Sequence, residues 1–352
     1  MICPHYGYIK RGTEVMTEYS STIMRKRGYS VDVLSMGINV NGLRIDKGLG
    51  KLSYKVTELS FLTGFCRKYL GFSPSIETIS FALSLETFLK KNQYDFLWTN
   101  GDCWDNIVCK KTGIPYLSFF GGGISKMMQK ESELLPDIFV VLTPEMCDWI
   151  KSKVPDCNVK CIPNGVDLNL FKSEGHNIFP DYEEPIVLST SALVETKRID
   201  LIIDAMELLG KGTLILTSDG PMRNTLIQKG TKQLKDRFVY KGVVPYDTLP
   251  DLYANADVFV LASRNEPFGN VILESMACNT PVVAQRDETR EWIIGDGGVL
   301  VNDCSDIPSL TSDIELAYKH DWKDKPRKQA EKFDWNKIVD MYIMEIKKVI
   351  EK

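Results

Sequence analysis

From residue 185 onward, short apolar runs alternate with segments whose apolar positions recur every three or four residues. PIVLSTSAL (185–193), GTLILTSDG (212–220), RFVYKGVV (237–244), ADVFVLAS (256–263), PVVAQ (281–285) and VLVND (299–303) read as strands. RIDLIIDAMELLG (198–210), which closes on a glycine, LIQKGTKQL (226–234), DTLPDLYANA (247–256), 271–277 and about 306–320 read as helices between them. Strands that are apolar on every residue, separated by helices, predict a parallel sheet covered on both faces. The first half repeats the rhythm less cleanly. It offers a helix over 11–28 and strands at SVDVLSM (30–36), DFLWTNG (95–101), PYLSFFG (115–121) and DIFVVLT (137–143), with little pattern over 38–75. IPNGVDLNLF (162–171) has the punctuation of a hinge.

The expected architecture is therefore α/β, with two doubly wound, Rossmann-like domains facing across a cleft. Residues 1–163 form the first and 164–334 the second. The amphipathic run FDWNKIVDMYIMEIKKVIEK ends the chain, and its helix (335–352) is expected to cross back to the first domain.

Composition narrows the function. The chain has 352 residues, 43% of them hydrophobic, and a net charge of −4, which argues against a dedicated nucleic-acid binder. Residues 1–150 carry a net +2 and the remainder a net −6, a weak hint that the first half faces something anionic. No run reaches the roughly 18 apolar residues of a spanning helix, and the start lacks signal-peptide architecture, so the expectation is a cytoplasmic protein. Nine scattered cysteines suggest reduced thiols rather than a metal or disulfide framework.

The candidate chemistry lies in SRNEPFGNVILESMACNTPVVA (263–284). Pro267 ends the preceding strand, Gly269 permits a tight turn, and Asn270 can cap a helix running from Val271 to Ala277. The unpaired amides at that helix start would form an anion site at the carboxyl edge of the sheet. Glu266 stands before the turn and Glu274 about one helical turn inside. Carboxylates only accept hydrogen bonds, so each suits a pair of sugar hydroxyls, and two sugars flanking a diphosphate describe a nucleotide sugar. The bland alternative is a solvated Glu266 and a Glu274 paired with a neighbouring cation.

The stretch EPFGNVILESMACNTPVVA closely resembles the signature of retaining glycosyltransferase family 4, which has the GT-B fold. IPNGVDLNLF, ALVETKRIDLIIDA (192–205), SDGP (218–221), YKGVVPYDTLPDLYANADVFVLAS (240–263), GGVLV (297–301) and FDWNKIVDMY (333–342) agree in order. The amino-terminal half matches in outline only. The resemblance implies a retaining transferase that moves a sugar from a nucleotide-diphosphate sugar to a glycan or lipid-linked acceptor, in surface polysaccharide or glycolipid assembly. No cofactor or metal is implied.

It further implies that Glu266 meets the donor sugar and Glu274 the ribose. Backbone at Phe268, Gly269, Asn270 and Val271 would meet sugar and diphosphate, and Lys197 would neutralise the diphosphate. Val243 would meet the base, Asp219 of SDGP would line the donor site, and Gly12 would pass close to the diphosphate. Two departures stand out. Ser191 and Ala192 occupy the place of a common Gly-Arg pair, and FFGGG (119–123) that of a common histidine. Arg198 is a candidate replacement for the missing arginine, or an ordinary arginine at a helix start.

Asp102, Gly121 and Gly122 are candidate acceptor contacts, against a solvated aspartate and a flexible glycine loop. His5 is weighed as structural. FLTGFCRKYLGF (61–72) could dock peripherally on a membrane or form a core helix with a charged rim. Two other readings stay open: a nucleotide-sugar epimerase or phosphorylase of similar fold, and a catalytically silent GT-B protein acting as a binding partner.

Overall fold

The computed structural model describes residues 1–4, 6, 12–35, 44–45, 76–100, 103–173, 178–179 and 181–351, without the side chains of 44–45 and 76–80. The chain divides into two compact units. One comprises Met1–Asn164 with Trp335–Lys352, and the other Gly165–Asp334.

The first unit contains strands β1 (Leu34–Ser35), β2 (Arg44–Ile45), β3 (Leu97–Thr99), β4 (Tyr116–Phe120), β5 (Ile138–Val141) and β6 (Val159–Cys161). Strands β3 to β6 pair in sequence order, and β1 pairs with β2, all in parallel. Ile2 bridges both Leu34 and Thr99 and so links the two sets. Of the strand expected at 30–36, Leu34–Ser35 is strand and 30–33 is not, while residue 36 lies outside the described residues. Helices Gly12–Lys26, Ile76–Leu89, Cys103–Thr112, Lys126–Ser132 and Pro144–Lys153 complete the alternation.

The last helix, Trp335–Ile350, is part of this unit. Tyr19 stacks on Trp335 at 5.5 Å, Trp98 meets Tyr342 at 4.3 Å, and Arg27 pairs with Asp340. Its buried stripe explains the docking: Trp335, Ile338, Val339 and Tyr342 recur at helical spacing and are buried, while Asn336, Lys337 and Asp340 stay exposed.

The second unit is a six-stranded parallel sheet of β7 (Ile186–Ser189), β8 (Thr213–Thr217), β9 (Phe238–Gly242), β10 (Val258–Leu261), β11 (Val282–Gln285) and β12 (Gly298–Val301). The spatial order is β12-β11-β10-β7-β8-β9. Its core strands are buried along their whole length, as the continuous apolar runs require. Helix Ile199–Leu209 lays Ile199, Ile202, Ile203 and Met206 on the sheet and stops at Gly210 (φ 72°). The chain enters and leaves this unit side by side, with Val166 bridging Asp334.

The order has one functional consequence. The chain builds β7, β8 and β9 outward in one direction, then returns to place β10 on the other side of β7. Strand order therefore reverses between β7 and β10, and the loops leaving their carboxyl ends diverge there. Open α/β sheets bind ligands at that crevice.

Candidate functional site

The loop after β7 (190–198) and the loop after β10 (263–269) meet at this reversal. Arg264 N donates to Thr196 O at 3.1 Å, which stitches the two backbones together. Lys197 Nζ donates to Glu266 Oε2, and Ser263 Oγ donates to the same oxygen at 3.1 Å. No hydrogen-bond partner for Glu266 Oε1 is found among the described residues. The pair is largely buried, with side chains 22% and 13% exposed. An ammonium and a carboxylate oxygen with open lone pairs thus sit side by side at the crevice, able to receive an anion and a hydroxyl respectively.

The turn carrying Glu266 has two residues in the left-handed region, Asn265 (φ 51°) and Gly269 (φ 92°). Gly269 itself is the N-cap of helix Asn270–Ala277. This corrects the expectation for Asn270, which is the first helical residue and not the cap. A glycine there lets the chain turn sharply into the helix, and no side chain caps the helix start. Phe268 is buried against Trp292 (6.4 Å) and Phe333 (6.3 Å), which pins the turn from below. Val271 is half-buried on the first turn.

Glu274 sits deeper. Its carboxylate accepts from Tyr253 OH at 3.0 Å and Tyr246 OH at 3.3 Å, and Tyr253 OH also lies 2.8 Å from Thr190 Oγ1. The partners are thus tyrosine hydroxyls in place of the neighbouring cation of the bland alternative. Burial raises the Glu274 carboxyl to about 7, and the two tyrosine hydrogen bonds only partly offset that. Both glutamates therefore connect to the same loop after β7, Glu266 through Lys197 and Glu274 through Tyr253 and Thr190.

Arg198 has a left-handed backbone (φ 48°) and turns inward. Its Nε donates to Ala262 O at 2.7 Å, Nη2 to Gln285 Oε1 at 2.8 Å and Nη1 to Ser305 Oγ at 3.1 Å. All three nitrogens are engaged by protein, so the guanidinium ties the ends of β10 and β11 together. An ordinary surface arginine, one of the two alternatives, does not describe that arrangement.

Asp219 accepts from Gly220 N at 2.7 Å and lies 3.4 Å from Arg223 Nη1. With Gly220, Pro221, Arg223 and Asn224 it lines a recess of about 360 Å³. The loop after β8 touches the loop after β7, since Leu193 N donates to Asp219 O at 3.0 Å and Met222 N to Leu193 O at 2.9 Å. A Cβ on Gly220 would lie 2.4 Å from Leu193 O, which is backbone and cannot yield cheaply. Gly220→Ala is expected to cost about 1–3 kcal/mol of stability, as overpacking does. A urea midpoint equal to that of the parent protein would show that the loops part freely. Val243, after β9, is 73% exposed and offers an open surface for a planar group.

In the first unit, Gly12 opens helix Gly12–Lys26, and Gly121 follows β4. A Cβ on Gly121 would lie 3.5 Å from Thr13 Oγ1, so that loop runs beside the first turn of the helix. Gly122 sits over the Phe120 ring. Asn100 Nδ2 donates to Thr17 Oγ1 at 2.6 Å on the same edge. Asp102, His5 and 61–72 lie outside the described residues. Among the described residues no helix is long and apolar enough to cross a membrane.

Four partners escape sequence reasoning: Ser263, Arg290, Tyr246 and Tyr253. The tyrosines lie within the quoted YKGVVPYDTLPDLYANADVFVLAS stretch, but nothing in their spacing points to Glu274. Arg290, in ETREWI, resembles any arginine on a helix surface, yet it is 1% exposed.

Two parallel α/β units of this kind constitute the GT-B fold of glycosyltransferases. The whole chain superposes on sucrose-phosphate synthase from Thermosynechococcus elongatus with a TM-score of 0.81 and 20% identity, covering 99% of this chain and 98% of that one. It also superposes on Anabaena HepE, solved with UDP and glucose, with a TM-score of 0.75 and 16% identity over 97% and 98% of the two chains. Residues 174–334 match the family model described as Glycosyl transferases group 1. Over 136 residues the chain is 39% identical to a lipopolysaccharide core biosynthesis glycosyltransferase of Rhizobium meliloti, covering 38% of this chain and 39% of that protein. The matched region spans between 39% and 57% of the length of the first three curated relatives.

Proposed function

We propose that the protein is a retaining glycosyltransferase that moves a sugar from a nucleotide-diphosphate sugar to a glycan or lipid-linked acceptor in surface polysaccharide or glycolipid assembly. The observation that carries this reading is the Lys197–Glu266 pair at the reversal between β7 and β10, with Glu266 Oε1 open. The HepE structure holding UDP and glucose and the lipopolysaccharide relative support the donor and acceptor classes.

In this reading an incoming diphosphate draws Lys197 away from Glu266, and the freed carboxylate takes hydroxyls of the donor sugar. Backbone amides at 268–271 add the partial positive charge of a helix start. Glu274 accepts from the ribose, Val243 faces the base, and Asp219 and Gly12 border the diphosphate. Asp102, Gly121 and Gly122 meet the acceptor. The anomeric carbon–oxygen bond to the diphosphate breaks as the acceptor oxygen bonds to that carbon from the same face. The acceptor's proton passes to the departing phosphate oxygen, so the products are a glycoside and a nucleoside diphosphate. Neither a protein base nor a metal ion is required, and a cytoplasmic enzyme with peripheral membrane contact through 61–72 fits the acceptor class.

The test begins with thermal melting against UDP, GDP, ADP and CMP, because a ligand of the folded state alone raises the midpoint. A tenfold excess over the dissociation constant should add about 1.4 kcal/mol. The matching nucleotide sugars are then assayed for slow donor hydrolysis. The inward commitment of Arg198 favours one alternative, a silent binding protein, and a raised midpoint without turnover by any sugar would select it. No shift with any nucleotide would overturn both.

A further inference from the structure

We propose that Arg290, held by Asp287, is a positioning residue that fixes the Lys197–Glu266 pair through Ser263. The proposal deepens the reading given above, in that the pair it positions is the one assigned there to the donor.

Arg290 is the largest fully buried side chain among the described residues. Burying a guanidinium is costly unless its donors are matched, so its partners carry information. Asp287 Oδ2 accepts from both Nε (2.9 Å) and Nη2, while Oδ1 accepts from Arg290 N at 2.8 Å and caps helix Glu288–Ile294. The residue is thereby fixed at its backbone and at its head. One edge of the fork remains, and Nη1 gives it to Ser263, 2.7 Å from the carbonyl and 3.5 Å from Oγ.

Ser263 is fully buried and opens the loop that carries Glu266. With an Arg290 donor beside its Oγ lone pairs, the hydroxyl proton is directed to the other side, toward Glu266 Oε2 at 3.1 Å. That oxygen also receives Lys197 Nζ. Both protein donors land on Oε2, which sets the carboxylate's rotation and leaves Oε1 outward. A purely structural tie between β10 and β11 would need only the Ser263 carbonyl. The hydroxyl contact is the part that reaches the site.

Two variants separate these roles. Ser263→Ala removes the hydroxyl but keeps the carbonyl bond to Arg290, and Arg290→Lys keeps the charge but loses the fork. The readout is the rate at which Lys197 is acylated by a succinimidyl ester, followed by peptide mass spectrometry and normalised to Lys229, which pairs with Asp204 elsewhere. Both variants should label Lys197 about three- to tenfold faster than the parent protein, the range one net hydrogen bond commands. Glu266→Gln sets the upper limit. A parent-like rate in either folded variant overturns the proposal. Should Arg290→Lys not fold, Asp287→Asn replaces it with the same outcome required. With any nucleotide sugar the protein hydrolyses, kcat should fall about tenfold in Ser263→Ala while KM stays within about twofold, as loss of orientation predicts. Absence of hydrolysis in the parent protein would defeat the transferase reading, while the labelling still decides the relay.

Discussion

Glu266→Gln is expected to lower turnover about 10- to 100-fold while nucleotide affinity stays within about threefold, the magnitude of a hydrogen bond to a charged group. The asymmetry follows from the geometry. Lys197 and Ser263 both donate to Oε2, so the glutamine oxygen takes that position and the amide NH₂ occupies the outward one. An acceptor then becomes a donor where the sugar hydroxyl must donate. The nucleotide has no contact with that atom in the proposed arrangement, so its binding survives. Lys197→Ala should behave in the opposite manner. It removes a charge expected to face the diphosphate, and it leaves Glu266, largely buried, without its counter-ion. Nucleotide affinity should fall steeply, and the residual affinity should lose much of its salt dependence. Calorimetric titration of the selected nucleoside diphosphate, together with donor hydrolysis, separates the two variants. Equal and small effects of both substitutions on binding and rate would remove the pair from the site.

The parts of this arrangement that the sequence made legible share a physical cause. Strands β7, β8, β10 and β11 are buried on both faces over nearly their whole length, so their central residues are apolar without interruption, and that is visible in a linear string. The turn at 267–269 is legible because proline and glycine have backbone constraints of their own. Ser263, Tyr253 and Arg290 are not legible as partners of the glutamates. Their contacts depend on β10 lying beside β7, a spatial order that chain order does not print.

Arg198 illustrates the same limit. Its position next to Lys197 suggested shared work on one anion. A left-handed backbone at Arg198 turns the two side chains apart, one to Glu266 and the other to Ala262, Gln285 and Ser305. In the first half the run at 30–36 reads as a strand, but among its described residues Leu34–Ser35 alone are strand, and the link to β3 runs through Ile2, a single bridging residue that no periodicity can register.

Stability should fall as pH rises from about 4.5 to about 7 because of Glu274, and Glu274→Gln should abolish that component. The carboxyl is raised from 4.5 to about 7 in the folded chain, chiefly by burial. Below pH 4.5 it is protonated in both states and contributes no slope. Between the two values the unfolded chain has released its proton while the folded chain still holds it, so stability declines with pH. Above pH 7 both states are ionised and the loss is complete. The shift corresponds to about 3 kcal/mol. Tyr253 and Cys278 face the same carboxylate, but both are raised, Tyr253 well above its usual value and Cys278 to about 12, so neither titrates in this window.

Urea midpoints of both proteins at pH 5 and pH 8 give the test, since every other titrating group cancels in the difference. The advantage of the glutamine variant should grow by roughly this amount between the two pH values. Parallel curves would mean that Glu274 is solvated as an ordinary carboxylate. The same ionisation bears on the proposed ribose contact, because a carboxylate accepts from two hydroxyls and a protonated carboxyl accepts less well. The affinity ratio between the selected diphosphate and its 2′,3′-dideoxy analogue isolates that contact, as the phosphates are identical. The ratio should rise through pH 7 in the parent protein and stay flat in Glu274→Gln. A flat ratio in both would keep Glu274 as a buried partner of Tyr246 and Tyr253 and take it away from the nucleotide.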